Sequence, residues 1–407
     1  METPAKRIAL YGGTFDPFHN AHREVVRSAL SQLPVDCVFV MPLGQAPHKN
    51  RRISPAAFRF EMARLGVEGI EGAIVSDDEI STPGVDYTYE TVLRLKEQFD
   101  PEIIYILAGS DVLSSIDSWF RVRDLLREAT LAVVRRGSDH SGDMQAKAKE
   151  LQKRCGARVV FFDMPPLTLA SSDLRARIEK GQALNGQCPA QVESLIQRHH
   201  LYTFSSVYSS ISAEKWSHLI EMEGLSWPYL SQERRVHSAS VAQYAGYLAS
   251  LTGVDIARAM ECGLLHDLAK QLPLREQREL AGAFLKDDVM LAAFSDELLH
   301  GPAAAKIIST FDDSRDEEFL NAIAFHSTAR PGMSSLEQIL FLSDKIAYDR
   351  TFCRLEPIRA LAEGGELRAA MACCLREVFN ALVREGIALN PISLAAYREY
   401  AGDSSLY

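Results

Sequence analysis

No stretch of the chain holds about 18 consecutive apolar residues, so none reads as a membrane-spanning helix. The opening METPAKRIAL lacks a long apolar core, so no signal peptide is expected and the chain reads as cytoplasmic. Cysteine is sparse, with seven in 407 residues and no C-x-x-C pair, which points to reduced thiols. Positive charge is in deficit. The 44 Lys and Arg against 54 Asp and Glu leave a formal net charge of −10, so a general nucleic-acid binder is not expected. A local pocket can still be positive, so nucleotide substrates remain open. No internal repeat is visible, and the one low-complexity tract is the serine-rich SSVYSSISAE after HHLYTF at 199–204.

What is present divides the chain in two, as its length suggests. The first half carries short apolar runs at 8–11, 37–41, 73–75, 103–107, 131–134 and 159–162. They lack in/out alternation, as strands buried on both faces should. The intervening helical stretches predict a doubly wound parallel α/β sheet over 1–203. The serine-rich tract then reads as a linker, 204–215. Beyond 216 the spacing becomes helical. His237, Val241, Tyr244, Leu248 and Leu251 mark one helix face, and similar periodicity recurs to about 347, so 216–407 reads as all-α.

The segment GGTFDPFHNAH (12–22) follows the first apolar run. Gly12 and Gly13 at a strand exit suggest a sharp turn where phosphate meets backbone amides. A helix starting near His19–His22 aims its positive end at that phosphate and sets both imidazoles on one face. Alone, an H-x-x-H pair is more often two ordinary loop histidines. The motif, however, resembles the opening of the nucleotidylyltransferase superfamily, and more closely bacterial nicotinate-mononucleotide adenylyltransferase. PLGQAPHK (42–49), GVDYTYETVLRL (84–95), ILAGSDVLSSIDSW (106–119), LASSDLR (169–175) and CPAQVESLIQRHHLY (188–202) resemble that family's later segments in order.

The resemblance implies roles. Gly12, Gly13 and Thr14 cradle phosphates, and His19 and His22 stabilise the transferring one. Lys49 and Arg175 supply positive charge, and Ser172 stands at the signature's threonine. Asp111 binds ribose, while Thr88 and Trp119 hold the nicotinate ring. ATP and nicotinate mononucleotide are the implied substrates, with Mg²⁺ riding on the ATP phosphates. Three positions depart from the family pattern. Ala21 replaces a glycine, placing a methyl where ATP should pass; Ala170 replaces the first serine of the signature; Asp86 takes a serine's place and is expected to alter acid recognition. Phosphopantetheine adenylyltransferase is the rival within this fold.

In the second half, histidines recur on apolar segments: RRVHSASVA, GLLHDLAK, LLHGPAAAK and AIAFHSTA, followed by FLSDKIA. Buried imidazole and carboxylate are costly without partners, and metal ligation is one resolution. A buried histidine bonded to a backbone carbonyl is the bland alternative for any one of them. The series resembles the HD-domain phosphohydrolases, in particular their diadenosine-tetraphosphatase branch. The resemblance implies a di-metal centre held by His237, His266, Asp267, His300, His326 and Asp344, with Asp267 bridging and iron the implied metal. Lys270 is expected on the helix face of Asp267, stabilising departing charge. Diadenosine tetraphosphate is the implied substrate, cleaved symmetrically to ADP. Here Ala347 stands at a usual acidic position, and HSTA replaces H-T-T-G. A nucleotide-sensing module and an HD ribonuclease are the rivals. A homo-oligomer is compatible with the sequence.

Overall fold

The computed structural model describes residues 6–45, 52–82, 84–136, 141–311, 315–351 and 355–402. Its contacts divide the chain into two compact units. One comprises residues up to 197 with 201–203; the other comprises 198–200 and everything from 204 onward.

The first unit is built on six parallel strands: β1 (Arg7–Gly13), β2 (Cys37–Pro42), β3 (Ala73–Val75), β4 (Ile103–Ala108), β5 (Thr130–Arg135) and β6 (Val159–Asp163). They lie in the order β3-β2-β1-β4-β5-β6. Each expected strand is present, and the physical reason is visible in β1. Ile8 and Ala9 point to opposite faces, yet both are fully buried. The order reverses between β1 and β4, which leaves a crevice beyond their carboxyl ends. Leu10 pairs with Phe39 on one side and Ile106 on the other, so β1 is central and its exit is fixed on both sides.

The loop after β1 is tied down by buried polar groups. Arg59, 1% exposed, donates from Nε to the carbonyl of Ser54 and from Nη1 to those of Leu43 and Thr14. Asp16 accepts from the Tyr202 hydroxyl at 2.9 Å and from the Ser54 N–H at 3.3 Å, while its carbonyl accepts from Arg175. One buried carboxylate therefore joins the loop to the closing segment of the unit.

The second unit contains only helices among its described residues. The serine-rich tract is not a free linker. Ser205–Ser209 is helical, and Tyr208 and Ile211 are buried in the helical core, because two apolar side chains suffice to anchor a polar tract. The helix Gln232–Thr252 packs on Ile256–Leu265, and His300–Ile308 packs on Glu317–Phe325. Both contacts depend on a missing side chain. A Cβ on Gly263 would lie 2.5 Å from Ala242 Cα, and one on Gly301 would lie 2.6 Å from the Ala324 carbonyl oxygen. Gly263→Ala should therefore cost about 1–3 kcal/mol through backbone displacement. The denaturant midpoint of the purified chain measures it; an unchanged midpoint would show that the two helices are free to move apart.

Candidate active sites

In the first unit the two glycines remain inside β1, opposite Met41 and Pro42, with no turn at either. The expected turn is absent because the left-handed residue comes later, at Phe15 (φ 51°). The value of Gly12 is space instead: a Cβ there would meet nothing within 4 Å. A helix does begin where the motif requires, at Asn20–Gln32, with His19 as its N-cap. The His19 and His22 rings stack at 3.7 Å between centroids, tilted by 14°. The His19 N–H donates to His22 Nδ1 at 3.2 Å, which leaves Nε2 of His22 to carry the proton. His19 Nδ1 is buried with no hydrogen-bond partner among the described residues. Burial, reinforced by the Arg136 charge, pushes the His19 pKa down to about 4. Burial, the His19 ring and Arg136 hold His22 well below its usual value. Both imidazoles are neutral donors near pH 7.

Thr14 follows β1, and Arg175 reaches the Asp16 carbonyl. Asp111 lies past β4, in the helix Ser110–Ser115 across the crevice, where its Oδ1 closes over the place of a Gly109 Cβ at 2.4 Å. Thr88 opens the helix Thr88–Phe99, and Trp119 is half-buried against the core beneath β4. The neighbouring rings of Tyr87 and Phe120 are 4.4 Å apart, so the segments bearing Thr88 and Trp119 meet. Ser172 is exposed, in the first turn of Ser171–Glu179, and bonds locally to Asp173. Lys49 lies outside the described residues. Arg136, at the exit of β5, is a cation of this site that the sequence did not single out; its only signal is its place after an apolar run.

Two departures from the family pattern find a physical account. The Ala21 methyl is 4% exposed, packed into protein rather than into the crevice. Asp86 is buried, and its carboxylate accepts from the Gln45 N–H at 2.7 Å, so it holds a loop instead of facing a ligand. Burial pushes its pKa up to about 7, and burial with the Asp86 charge pushes Glu79 up to about 8. A carboxyl with a raised folded pKa retains its proton in the folded state after the unfolded chain has lost it, so stability falls as pH rises. The first unit should lose stability between about pH 4.5 and 8, and Glu79→Gln should flatten that slope. Unfolding midpoints across the range test this; a slope unchanged in the variant would remove Glu79 as its source.

The second unit gathers all six expected side chains. His237 lies within Gln232–Thr252, and Asp344 within Ser335–Ile346. The other three histidines sit at helix ends. His266 ends Ile256–Leu265, His300 begins His300–Ile308, and His326 ends Glu317–Phe325. Each of these three rings bonds through Nδ1 to the carbonyl three residues earlier: Gly263 at 2.8 Å, Glu297 at 2.8 Å and Ile323 at 2.7 Å. Nδ1 thus carries the proton, and each Nε2 lone pair points inward. Asp267 lies 3.6 Å from His266 Nε2, 3.4 Å from His300 Nε2 and 3.8 Å from His326 Nε2. Asp344 lies 3.1 Å from His237 Nε2 and 3.7 Å from His266 Nε2.

Two features fit this set to a metal. His266 Nε2 is fully buried with no hydrogen-bond partner among the described residues. The Nε2 atoms of His300 and His326 face each other at 3.1 Å with both Nδ1 protons already committed to carbonyls, and the Ser327 hydroxyl, 3.2 and 3.0 Å away, has one proton and can donate to only one of them. Opposed lone pairs repel, and a cation among them reverses the sign. Burial depresses the imidazoles of His266, His300 and His326, His300 to about 4, and so keeps those three neutral; at His237 the Asp344 and Asp349 carboxylates outweigh burial and raise the pKa to about 9, so its Nε2 must release a proton to take a metal. Burial opposes the Asp267 charge, and the Arg234 guanidinium, 2.8 Å from its Oδ2, pairs with the carboxylate and holds it ionised. Neutral nitrogen with ionised oxygen is the donor set of a divalent transition metal. His237, His266 and Asp344 form one converging group, and His266, Asp267 and His326 another.

Lys270 departs from expectation. The helix ends at Leu265, and 266–270 continue as turns with i to i+3 bonds, Lys270 N–H to the Asp267 carbonyl at 2.8 Å. Its ammonium stands beside His300, 3.4 Å from the Nε2 lone pair, and donates to the Glu297 carbonyl at 3.4 Å rather than to Asp267. The sequence reading also passed over Asp349, which accepts from His237 Nδ1 at 2.6 Å. This carboxylate–histidine pair orients a ligand ring, and nothing in AYDR distinguishes it from a surface acid. Asp349→Asn should weaken metal binding about 10- to 100-fold. Competition with a chelator measures it, and an unchanged affinity would leave the carboxylate without that role.

Residues 10–177 match the cytidylyltransferase-like family and 234–349 the HD domain. A Clostridium tetani protein described as a probable nicotinate-nucleotide adenylyltransferase is 30% identical over 199 residues, covering 48% of this chain and 99% of its own. The chain belongs to the nicotinate-nucleotide adenylyltransferase family. A Mycoplasma genitalium protein described as a probable nicotinate-nucleotide adenylyltransferase/Ap4A hydrolase is 26% identical over 347 residues, spanning 85% of this member of the family and 88% of itself. A crystal structure of a predicted HD superfamily hydrolase involved in NAD metabolism from Clostridium acetobutylicum aligns at 28% identity with a TM-score of 0.42, over 45% of this chain and 97% of its own. No helix among the described residues is long and apolar enough to cross a membrane.

Proposed function

We propose that the chain is a bifunctional enzyme. The first unit transfers the adenylyl group of ATP to nicotinate mononucleotide, releasing pyrophosphate and forming deamido-NAD. The second hydrolyses diadenosine tetraphosphate symmetrically to two ADP. The observation that carries this reading is the pair of neutral, stacked imidazoles at a helix start, combined with a separate buried cluster whose nitrogen lone pairs converge on two carboxylates.

In the first reaction a phosphate oxygen of the mononucleotide bonds to the α-phosphorus of ATP as the bond to pyrophosphate breaks. No covalent enzyme intermediate is required, so positioning and charge stabilisation suffice. His19 and His22 donate N–H groups to the oxygens on which charge builds. Gly12 leaves room for the phosphates, with Gly13 and Thr14 beside it. Arg175 and Lys49 balance the departing pyrophosphate, and Ser172 lies at the start of the same helix as Arg175. Asp111 takes the ribose, while Thr88 and Trp119 receive the nicotinate ring, Trp119 by stacking. Mg²⁺ enters with ATP.

In the second reaction His237, His266, Asp267, His300, His326 and Asp344 would hold a divalent metal centre, iron or Mn²⁺. When bound, such a centre supplies Lewis-acid charge and an activated water. Lys270 places its ammonium beside the cluster, where it offsets charge on the departing ADP. Asp349 fixes the His237 ring. Cleavage consumes one water and breaks one P–O–P bond, so each product retains two phosphates.

His19→Ala should reduce adenylyl transfer about 10²- to 10³-fold while leaving tetraphosphate hydrolysis intact. Asp267→Ala should abolish hydrolysis and metal retention while leaving transfer intact. Pyrophosphate release, chromatographic product analysis and metal quantitation on the same preparations decide. Hydrolysis surviving in metal-depleted Asp267→Ala would refute the second assignment, and undiminished pyrophosphate release by His19→Ala the first.

A further inference from the structure

Two guanidinium groups stand on the proposed metal ligands themselves. Arg350 Nη2 lies 2.6 Å from Asp344 Oδ1 and 3.0 Å from His237 Nε2. Arg234 Nη1 lies 2.8 Å from Asp267 Oδ2. A bound transition metal takes oxygen and nitrogen ligands at about 2.0–2.2 Å, so guanidinium and metal cannot occupy the same lone pairs. Arginine cannot escape the conflict by losing its proton. Where a metal takes Asp344 Oδ1, His237 Nε2 or the Arg234 side of Asp267, these donors have to yield that lone pair, and their remaining N–H groups turn to other acceptors.

The structure shows where they can go. Arg350 is also anchored by Nε on the Asp344 backbone carbonyl at 2.7 Å, a contact that does not involve the carboxylate and survives metal binding. Its side chain is 33% exposed and that of Arg234 is 37% exposed, so both stand at the rim between cluster and solvent. Charge decides the rest. Arg234, Lys270, Lys345 and Arg350 already outnumber the carboxylates of Asp267, Asp344 and Asp349 by one. Divalent metal added to that set leaves a larger positive surplus, which only a polyanion matches. A planar guanidinium fork fits phosphoryl oxygens bidentately.

We propose that Arg234 and Arg350 are substrate-binding residues of the second unit. In the metal-free chain each neutralises a ligand carboxylate; with metals in place each grips a phosphoryl group of the polyphosphate. The proposal rests on the reading of this unit as a metal-dependent polyphosphate hydrolase.

The test uses the full chain, metal-loaded and chelator-stripped, as wild type, Arg234→Met, Arg350→Met and the two lysine variants. Inorganic tripolyphosphate and ADP are the calorimetric probes, counting only binding that disappears on stripping. Metal content, thermal melting of both forms, and KM and kcat on diadenosine tetraphosphate are measured alongside. Each methionine variant should retain metal, bind both probes about 10- to 100-fold more weakly and show a matching rise in KM, with part of the loss recovered by lysine. The stripped Arg350→Met chain should melt below stripped wild type, while the loaded forms melt together. Unchanged probe affinity in a fully loaded methionine variant would overturn the proposal, as would binding losses that only track lost metal. Wild type that binds the probes through these arginines without cleaving the tetraphosphate would sustain the clamp and sink the hydrolase reading. Wild type with no metal-dependent probe binding would overturn both.

Discussion

A buried imidazole that gives its Nδ1 proton to a carbonyl has one lone pair left and no freedom over where it points. The second unit makes that commitment three times, at His266, His300 and His326, each to the carbonyl three residues earlier. The commitment is local, set by the backbone of a helix end, so it is complete before any ligand arrives. Tertiary packing then has only to bring the helix ends together. Gly263 and Gly301 do this by removing the side chains that would hold the helices apart, each within three residues of a ligand.

Burying the cluster without compensation would be prohibitive, since an ionised carboxylate loses its hydration on leaving water. Asp267 and Asp344 retain their charge because Arg234 pairs with the first and Arg350, Lys345 and His237 with the second. The arrangement answers two needs with one set of groups. Rim cations stabilise the metal-free fold, and the same cations face whatever anion the loaded centre attracts. Stability and recognition are thus coupled through Arg234 and Arg350, which belong to neither the apolar core nor the ligand set.

Much of the architecture was legible because burial on both faces leaves a simple signature. The six strands read directly as unbroken apolar runs such as Ile103–Leu107, which lies within β4. The strand order did not, since it depends on long-range pairing. The ligand histidines were legible because imidazole on an apolar segment demands a partner. Their partners were not. Asp349, Arg234, Arg350 and Arg136 look like ordinary surface charges, and only the fold turns them inward. Lys270 was assigned to a helix face because nothing local announces that the helix ends at Leu265 and tightens into i to i+3 turns. The serine-rich tract reads as a linker by composition, which outweighs its two apolar anchors, Tyr208 and Ile211.

The two units use the same side chain for opposite purposes, and the neighbours decide which. Burial keeps His19 and His22 neutral in the first and His266, His300 and His326 neutral in the second, with His19 and His300 each near 4. Beside His300 stands a carboxylate, Asp267, and the ring's Nδ1 proton is spent on a carbonyl, so the exposed function is a lone pair that accepts a cation. His19 and His22 belong to no converging metal-ligand group among the described residues, and the charge that bears on them is the Arg136 cation. That field repels a metal and attracts a phosphate. His22 accepts a backbone N–H at Nδ1, so its remaining function is an N–H donor. A histidine's chemistry is therefore set by which nitrogen the backbone claims and by the sign of the nearest fixed charge, and one chain combines both outcomes.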